Sequence, residues 1–314
     1  MPNTTTYGDI SQRTAGYAAV DMLEHAEPVI VLGKFAKTKP VPRNKADNVK
    51  FRRPVPFSAA TTPLQEGVTP TSQKMNYEDV TVTLKQYGVP IEITDKVADL
   101  SEDPVLKDAS MLAGEQAALT SEMVIYGAVK AGTNVFYTNG TARTSVNTAI
   151  SLSRQRLVTR TLKGQKAQKL RQILGSSSNY ATQAIEASFI AVAHTDCESD
   201  IRSMAGFIPT AQYGSRSVIC PEEIGAVEDV RYVLSPELSA FADGGGAKGS
   251  HVSTSGTSAD VYPVLYFGAN SYATVPLKGE HAITPMVINP GTIDKSDPLG
   301  QVGYVSWKAY MAAV

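Results

Sequence analysis

Two short segments in the first third of the chain alternate apolar and polar residues, which is the pattern of a strand with one buried face. They are VKFR at 49–52 and VTVTLK at 80–85. Between them lies the long connection FSAATTPLQEGVTPTSQKMNYED, at 57–79. Connections of this length in a compact domain are uncommon and usually functional. The pattern therefore predicts two strands that pair with each other and carry a projecting loop.

A helix longer than the ordinary globular helix is predicted over 104–131. Asp103 can cap it, Pro104 can open it at the first helical position, and Gly132 can end it. The apolar residues that recur near helical spacing are Ala109, Leu112, Leu119 and Met123. At 1.5 Å of rise per residue, about 27 residues give a helix about 40 Å long. We expect it to be the longest helix of the fold.

The remaining pattern mixes helices and strands, which predicts an α+β body. Further helices are predicted at 11–26, 151–163 and 194–204, and further strands at 90–94, 188–193, 228–234 and 261–267. Thr195 and Glu198 fit a capping box at the start of the last helix. The Gly, Ser and Thr content of 242–260 predicts a mobile loop between the last two strands.

The composition is that of a globular chain with nearly balanced charges. Hydrophobic residues make up 42% of the 314 positions, and 29 Lys and Arg stand against 30 Asp and Glu. A protein that holds polyphosphate by counterion release normally has a clear basic excess, so the balance argues against sequence-specific nucleic-acid binding. No segment approaches the run of about 20 apolar residues that spans a bilayer, so no membrane association is expected.

The charges are nevertheless segregated along the chain. The basic segment, Lys34–Arg53, holds eight basic residues and one acid, and its prolines favour an extended arm with little core of its own. The acidic segment, Glu92–Asp108, holds six acids and two lysines. Opposite signs on different parts of one chain can set the register of a self-assembling contact. The residues that we assign to this intersubunit contact are Arg43, Lys45, Arg52, Arg53, Glu102 and Asp103.

A second basic stretch, Arg154–Arg171, has no aromatic residues interleaved with its cations. Single-stranded nucleic acid is usually held by stacking on such residues. We therefore interpret this stretch as a solvated or intersubunit face.

No arrangement of side chains in the sequence points to catalysis. The run GGGAKGS at 244–250 places glycine after its lysine, whereas a phosphate loop needs Gly-Lys-Ser/Thr before a helix. His194, Asp196, Cys197 and Asp200 cluster without metal-ligand spacing, which favours an ordinary strand-to-helix junction. The two cysteines of the chain suit a reducing compartment. We predict no enzyme activity, no cofactor and no metal site.

A series of segments resembles, in amino-acid sequence and in order along the chain, the N-four-type major capsid proteins of tailed phages, which have the Hong Kong ninety-seven fold. The segments are TYGDISQRTAGYA, LGKF, NVKFRR, ATTPLQEGVTP, LKQYG, ITDKVADLSEDPVL, GEQAA, KAGTNVFY, FIAVAHTDCESDIR, EIGAVEDVRYV, YPVLYFGANSYATVPLKG and DPLGQVGYVSWKAYMAAV. They run almost end to end, and their shared order makes the resemblance specific. It implies a structural protein that self-assembles into an icosahedral shell enclosing phage double-stranded DNA.

The resemblance also divides the chain into parts. It implies an N-terminal arm at 1–50, an E-loop with flanking strands at 51–86, a peripheral domain at 87–144 with its spine helix at 104–131, an axial domain at 145–270, and a return to peripheral and axial strands at 271–314. In that fold the arm and the E-loop lie across neighbouring subunits. The apolar E-loop residues Leu64, Val68 and Met75 are therefore expected to be buried on a partner.

Lys74 is the E-loop lysine that a covalent crosslink between subunits would use. Autocatalytic isopeptide formation needs a nearby buried carboxylate as its base. The sequence identifies none, so we predict that no crosslink forms.

The partners implied are further copies of the chain in hexamers and pentamers, a separate scaffolding protein, a portal, and non-specific contact with packaged DNA. A scaffolding protein is expected because no long helical segment precedes the arm, and a decoration protein stays an open alternative. The resemblance places the protein in the virion capsid, after synthesis in the host bacterial cytoplasm. An encapsulin-like compartment that encloses protein cargo is the alternative function of the same fold, and a hydrolase or transferase is a third hypothesis.

Overall fold

The computed structural model describes residues 30–42, 44, 47–100, 105–174, 182–214, 216–277, 284–293 and 297–314. The helix predicted at 11–26 lies outside these residues. The described part of the chain forms a six-stranded central sheet, a three-stranded sheet, a two-stranded hairpin and a short parallel pair. With the helices that cover the sheets, these elements confirm the predicted α+β class.

The strands are β1 Lys37–Thr38, β2 Asn48–Pro54, β3 Tyr77–Thr83, β4 Lys85–Thr94, β5 Leu170–Leu174, β6 Thr182–His194, β7 Phe207–Pro209, β8 Glu223–Val227, β9 Val230–Ser235, β10 Leu265–Phe267, β11 Ala273–Thr274, β12 Thr284–Ile288 and β13 Val302–Met311. The α-helices are α1 Asp95–Leu100, α2 Val105–Lys130, α3 Leu152–Gly164 and α4 Glu198–Arg202. Single 3-10 turns lie at Leu32–Phe35, Arg143–Ser145, Thr195–Cys197 and Thr210–Gln212.

The central sheet has the strand order β10-β6-β9-β8-β7, and β5 also pairs with β6. The two innermost strands, β6 and β9, run parallel, and every residue of β9 is buried. Because both faces of these strands are covered, their sequences are continuous apolar runs and do not alternate. The strand predicted at 228–234 begins at Val230, since Glu228 lies in the preceding turn with a φ of 52°.

Helices cover both faces of the central sheet. On one face, the C-terminal part of α2 and the 3-10 turn Leu32–Phe35 pack on the sheet through Ile125, Leu32 and Val233. On the other face, α3 and α4 pack through apolar residues that include Leu162 and Ile201. Residue 151 precedes α3 as its N-cap, close to the helix boundary predicted from the sequence.

The three-stranded sheet has the order β12-β13-β4, and the N-terminal half of α2 lies on one of its faces. Trp307 of β13 is buried there, and its indole Nε1 donates a hydrogen bond to Gln116 Oε1 of α2 at 3.1 Å. The helix residues buried against the sheet are Ala109, Ala113 and Ala117. Small side chains let the helix approach the sheet closely enough for the indole to fill the space between them.

The long helix predicted at 104–131 is present as α2, but the prediction of its buried face is wrong in part. Leu112 is 61% exposed and Leu119 is exposed as well. In the half of the helix that covers the three-stranded sheet, the buried residues are all small: Ala109, Ser110, Ala113, Gly114, Ala117 and Ala118. The leucines therefore lie on the solvent side of the helix.

The expectation that Lys34–Arg53 has little core of its own is wrong for its first part. Within the segment, Phe35 is buried between α2 and the central sheet, and Val41 is buried beside the base of the hairpin. Val31 and Leu32, just before the segment, are buried with Phe35. β1 pairs in parallel with β11, which ties this segment to the C-terminal part of the fold.

The helix predicted at 194–204 is shorter in the structure. A 3-10 turn occupies Thr195–Cys197, and α4 covers only Glu198–Arg202. The predicted capping box does not form, because His194 replaces Thr195 as the cap: its Nδ1 accepts a hydrogen bond from the Asp196 backbone N–H at 3.0 Å.

Candidate functional site

The hairpin of β2 and β3 projects from the body of the protein. The two strands pair in register from Asn48 with Thr83 to Pro54 with Tyr77, as the sequence pattern predicts. Beyond the strands, only Val55 continues the pairing, with its N–H donating to Asn76 O at 2.9 Å. All residues from 52 to 81 are exposed. These residues, 52–81, which we call the outer hairpin, therefore have no core within their own subunit.

Large apolar side chains are exposed along this outer hairpin. Leu64 is 78% exposed, Val68 60% and Met75 56%. Large apolar side chains exposed on a segment without a core of its own mark it as a candidate interaction site. The three residues predicted to be buried on a partner are thus free in the isolated subunit, and whether a partner covers them stays a prediction.

The arginines near the loop end of the paired strands form ion pairs within the hairpin itself. Arg52 Nε and Nη2 donate to the two carboxylate oxygens of Asp79 at 2.7 and 2.9 Å, and Arg53 Nε donates to Glu78 at 3.2 Å. The hydrogen bond from Arg52 holds the pKa of Asp79 below its usual range. These cross-strand ion pairs stabilise the strand register. They also give Arg52 and Arg53 partners within their own chain, whereas the sequence pattern predicts that these arginines contact a neighbouring subunit.

The other charged residues assigned to the subunit contact are Arg43, Lys45, Glu102 and Asp103, and all four lie outside the described residues. The predicted contact between the basic and the acidic segment therefore stays a prediction. The structure adds that Lys34, at the start of the basic segment, pairs with Glu222 Oε1 at 2.8 Å within the same chain.

Two further apolar surfaces are exposed that the sequence pattern did not identify. One is formed by Leu112 and Leu119, two turns apart on the outer side of α2. The other lies at the free face of the three-stranded sheet and the loop after β12, and consists of Met286, Ile288, Ile293, Leu299 and Tyr304. Within it, Ile288 of β12 is directly opposite Tyr304 of β13. The sequence pattern could not identify these surfaces, because hydrophobic periodicity assigns apolar residues to the core whether or not they are exposed.

Glu122 of α2 holds residues 31–35 in place, which we call the N-terminal segment. It is fully buried, and its Oε1 accepts hydrogen bonds from the backbone N–H groups of Val31 at 3.2 Å and Leu32 at 2.7 Å. Tyr272 donates its hydroxyl to Leu32 O at 2.6 Å from the other side. Burial raises the pKa of Glu122, and the N–H donors partly oppose that rise. The described start of the chain is thereby fixed to α2 at Val31 and Leu32.

The side chains of the His194–Asp200 cluster take part in hydrogen bonds and packing within the fold. Tyr262 donates its hydroxyl to Asp196 Oδ2 at 2.6 Å, and His194 accepts from the Asp196 backbone. Burial, followed by repulsion from Asp200 and Asp196, raises the pKa of the Cys197 thiol to about 12. A thiol that stays protonated is a poor nucleophile and a poor metal ligand. Among the described residues, no group of three or more His, Cys, Asp and Glu side chains is arranged to hold a metal ion.

The glycine-rich run at 244–250 is part of a folded loop. Backbone bonds join Gly245 N–H to Ala259 O at 2.9 Å and Gly246 N–H to Val146 O at 2.9 Å. Asp260 accepts from the Asp243 and Thr254 N–H groups, which closes the loop further. A Cβ at Gly245 would lie 2.3 Å from Val146 O, so the glycine is needed for this close approach. No helix follows Lys248, as a phosphate loop would require.

No helix in the described part of the chain combines the length and the apolar character needed to cross a membrane.

The fold is that of a phage capsid subunit. It is similar to the capsid of Ralstonia phage GP4, with a TM-score of 0.61 and 12% identity over 89% of this chain and 82% of that chain. It is also similar to the head structure of Helicobacter pylori bacteriophage KHP40, with a TM-score of 0.57 and 10% identity over 90% and 80%. A third match is the capsid of the Cyanophage P-SCSP1u, with a TM-score of 0.51 and 12% identity over 90% and 84%. These likenesses identify the Hong Kong ninety-seven type capsid fold.

No curated protein sequence is significantly similar to the chain. The family model described as phage capsid protein matches residues 77–314. The chain belongs to this phage capsid protein family, and its role is that of a major capsid protein, a structural subunit of the shell. The match begins at Tyr77, the first residue of β3, so β2 and the loop of the hairpin lie before it.

Proposed function

We propose that copies of this chain assemble through hexamers and pentamers into an icosahedral shell that encloses phage double-stranded DNA, and that the outer hairpin carries a principal contact between neighbouring subunits. The observation behind the proposal is the exposure of every residue from 52 to 81, apolar side chains included. A segment that cannot bury its apolar residues in its own chain gains stability by burying them on another.

The division of the chain into parts agrees with this proposal. The outer hairpin serves as the E-loop, α2 as the spine helix of a peripheral domain built on the three-stranded sheet, and the central sheet with α3 and α4 as the axial domain. The exposed leucines of α2 and the apolar face around Ile288 are further surfaces on which a neighbouring subunit can dock.

The role is structural and involves no catalysis of its own. A scaffolding protein, a portal and synthesis in the host bacterial cytoplasm are expectations that rest on the resemblance to capsid proteins. The alternative of an encapsulin-like compartment is not favoured, because the family match is to phage capsid proteins.

The proposal is tested by replacing Leu64, Val68 and Met75 with Ser in the full-length chain. The variant should keep the far-ultraviolet circular dichroism and the melting temperature of the wild type, since these side chains touch no core. It should fail to form shells in electron micrographs under conditions in which the wild type assembles.

A matched control replaces three exposed valines outside both the hairpin and the acidic segment, as V135S/V218S/V252S, which also removes exposed apolar surface. The control should still assemble. If the hairpin variant forms normal shells, the outer hairpin is not a principal contact. If the wild-type chain forms neither shells nor rings, the shell function itself is wrong.

A further inference from the structure

One long stretch of the chain carries basic residues but no acids. Between Glu122 and Glu186 there is no Asp or Glu, whereas this stretch holds nine of the 29 basic residues of a chain that has 30 acids. Six of the nine lie on α3 or directly after it and form what we call the basic face of α3. Its members are Arg154, Arg156, Arg160, Lys163, Lys166 and Lys169.

The fold of α3 directs these cations outward. Arg156, Arg160 and Lys163 are exposed and lie at helical positions i, i+4 and i+7, which are on one side of a helix. The adjoining side of the helix, which carries Gln155 and Thr159, is buried and fixed to the central sheet. There the buried Gln155 donates to Val227 O at 2.9 Å and accepts from the Tyr232 hydroxyl at 2.8 Å. The helix therefore presents its cations on a rigid support.

Two acids in the turn before β9 neutralise part of this charge. Arg156 Nε donates to Glu228 at 2.8 Å, and Asp229 accepts from both Lys163 and Lys169. Arg160 and Lys166 have no carboxylate partner among the described residues. The basic face thus keeps a net positive charge and two cations that are free to bind an external anion.

The composition of the surface distinguishes between classes of partner. Protein interfaces are anchored by exposed apolar or aromatic residues at their centre. The described residues contain no exposed large hydrophobic side chain between Phe136 and Ile208, whereas the outer hairpin carries several. No aromatic residue lies between Tyr137 and Tyr180 in the sequence, so α3 itself offers bases no ring to stack on. A cationic surface without apolar or aromatic anchors fits the phosphate backbone of a duplex.

We propose that the basic face of α3 is the surface of the subunit that contacts the phosphates of the packaged double-stranded DNA, without reading its sequence. The inference rests on the proposed shell function and deepens it, since it assigns the DNA side of the axial domain. It follows that α3 lies on the inner side of the shell, and that α2 with the N-terminal segment covers the opposite face of the central sheet.

The test measures binding of the unassembled full-length chain to a 30-base-pair duplex by fluorescence anisotropy, between about 50 and 200 mM salt. The variant R160Q/K166Q removes the two free cations. Each lost phosphate contact lowers the slope of log K against log salt by about 0.9, so the variant should bind more weakly and lose about 1.8 from the slope. The matched control K96Q/K107Q, with the same change of charge on α1 and α2, should bind as the wild type does.

Two further measurements separate this proposal from other outcomes. R160Q/K166Q should still form shells of wild-type size, which keeps the shell function independent of the result. Polyglutamate should compete less well than DNA at equal charge. The proposal is overturned if the variant and the control bind DNA with equal slopes, if the variant alone fails to form shells, or if polyglutamate binds through these residues while DNA does not.

Discussion

Glu122 is the residue on which the position of the N-terminal segment depends most. Its Oε1 is the acceptor for two buried N–H groups, those of Val31 and Leu32. Leaving a buried donor unpaired costs about 1–3 kcal/mol, so we predict that E122A lowers the free energy of unfolding by about 3 kcal/mol in urea titrations. E122Q keeps the acceptor oxygen and should lose much less. Equal losses in the two variants would show that the hydrogen bonds contribute little.

The raised pKa of Glu122 also predicts a dependence of stability on pH. A carboxyl whose pKa is higher in the folded than in the unfolded state binds more protons when folded. Its contribution to stability is therefore greatest at low pH and falls as pH rises from its ordinary value near 4.5 through the raised folded pKa. Relative to E122Q, the wild type should lose stability across this window. A constant difference between the two proteins from pH 4 to pH 8 would contradict the assignment.

Lys74 lies on the exposed outer hairpin, where no side chain is buried in the isolated subunit. A base for isopeptide formation would have to come from a neighbouring subunit, and the residue pattern identifies none. We therefore predict a single band near 33.5 kDa when mature particles are denatured and separated by electrophoresis. A ladder of multimers that persists in the wild type but disappears in K74A would overturn the prediction.

At the scale of elements, the outer hairpin should be ordered by assembly. Ser58–Lys74 has no strand pairing and no core in the described structure, so its backbone amides are open to water. Hydrogen exchange across this segment should be fast in the unassembled subunit and much slower in the shell. The amides of 109–126 in α2 provide the control, because their helix is packed in both states. Slow exchange of Ser58–Lys74 before assembly would contradict the proposal.

The elements that the sequence predicts best are those whose pattern is set locally. The strands around the hairpin and the long helix follow from alternation, spacing and end signals, and the structure has them close to the predicted residues. The pattern could not assign the buried face of α2, because the depth available to a side chain depends on Trp307, which is 191 residues from its partner Gln116. The burial of Val31 and Leu32 likewise depends on Glu122, about 90 residues away.

At the scale of the whole molecule, the apolar surfaces and the cationic surface lie on different elements. Exposed apolar residues are found on the outer hairpin, on α2 and on the three-stranded sheet. On α3, by contrast, every exposed charged side chain is a cation. Burial of apolar surface can therefore hold subunits together while a separate face remains available to an anionic partner. The proposed DNA contact and the proposed subunit contacts therefore involve different surfaces of the molecule.

The predicted attraction between the basic and the acidic segment belongs to the assembled shell, and the structure changes how it should be tested. Reversing Arg43, Lys45, Arg52 and Arg53 to Glu together should block assembly without unfolding the subunit, yet Arg52 and Arg53 also pair with Asp79 and Glu78 inside the hairpin. The swap R52D/D79R keeps a cross-strand pair and the net charge, and R43E/K45E leaves the hairpin pairs intact.

We expect R43E/K45E to reduce the yield of shells at about 50 mM salt, because it creates repulsion at every copy of the contact. The yield should recover partly at about 500 mM salt, where charges are screened within a few Å. The swap should assemble as the wild type does. Normal shells from R43E/K45E at low salt, with an unchanged melting temperature, would mean that this part of the basic segment is only a solvated strip and that apolar burial alone sets the contact.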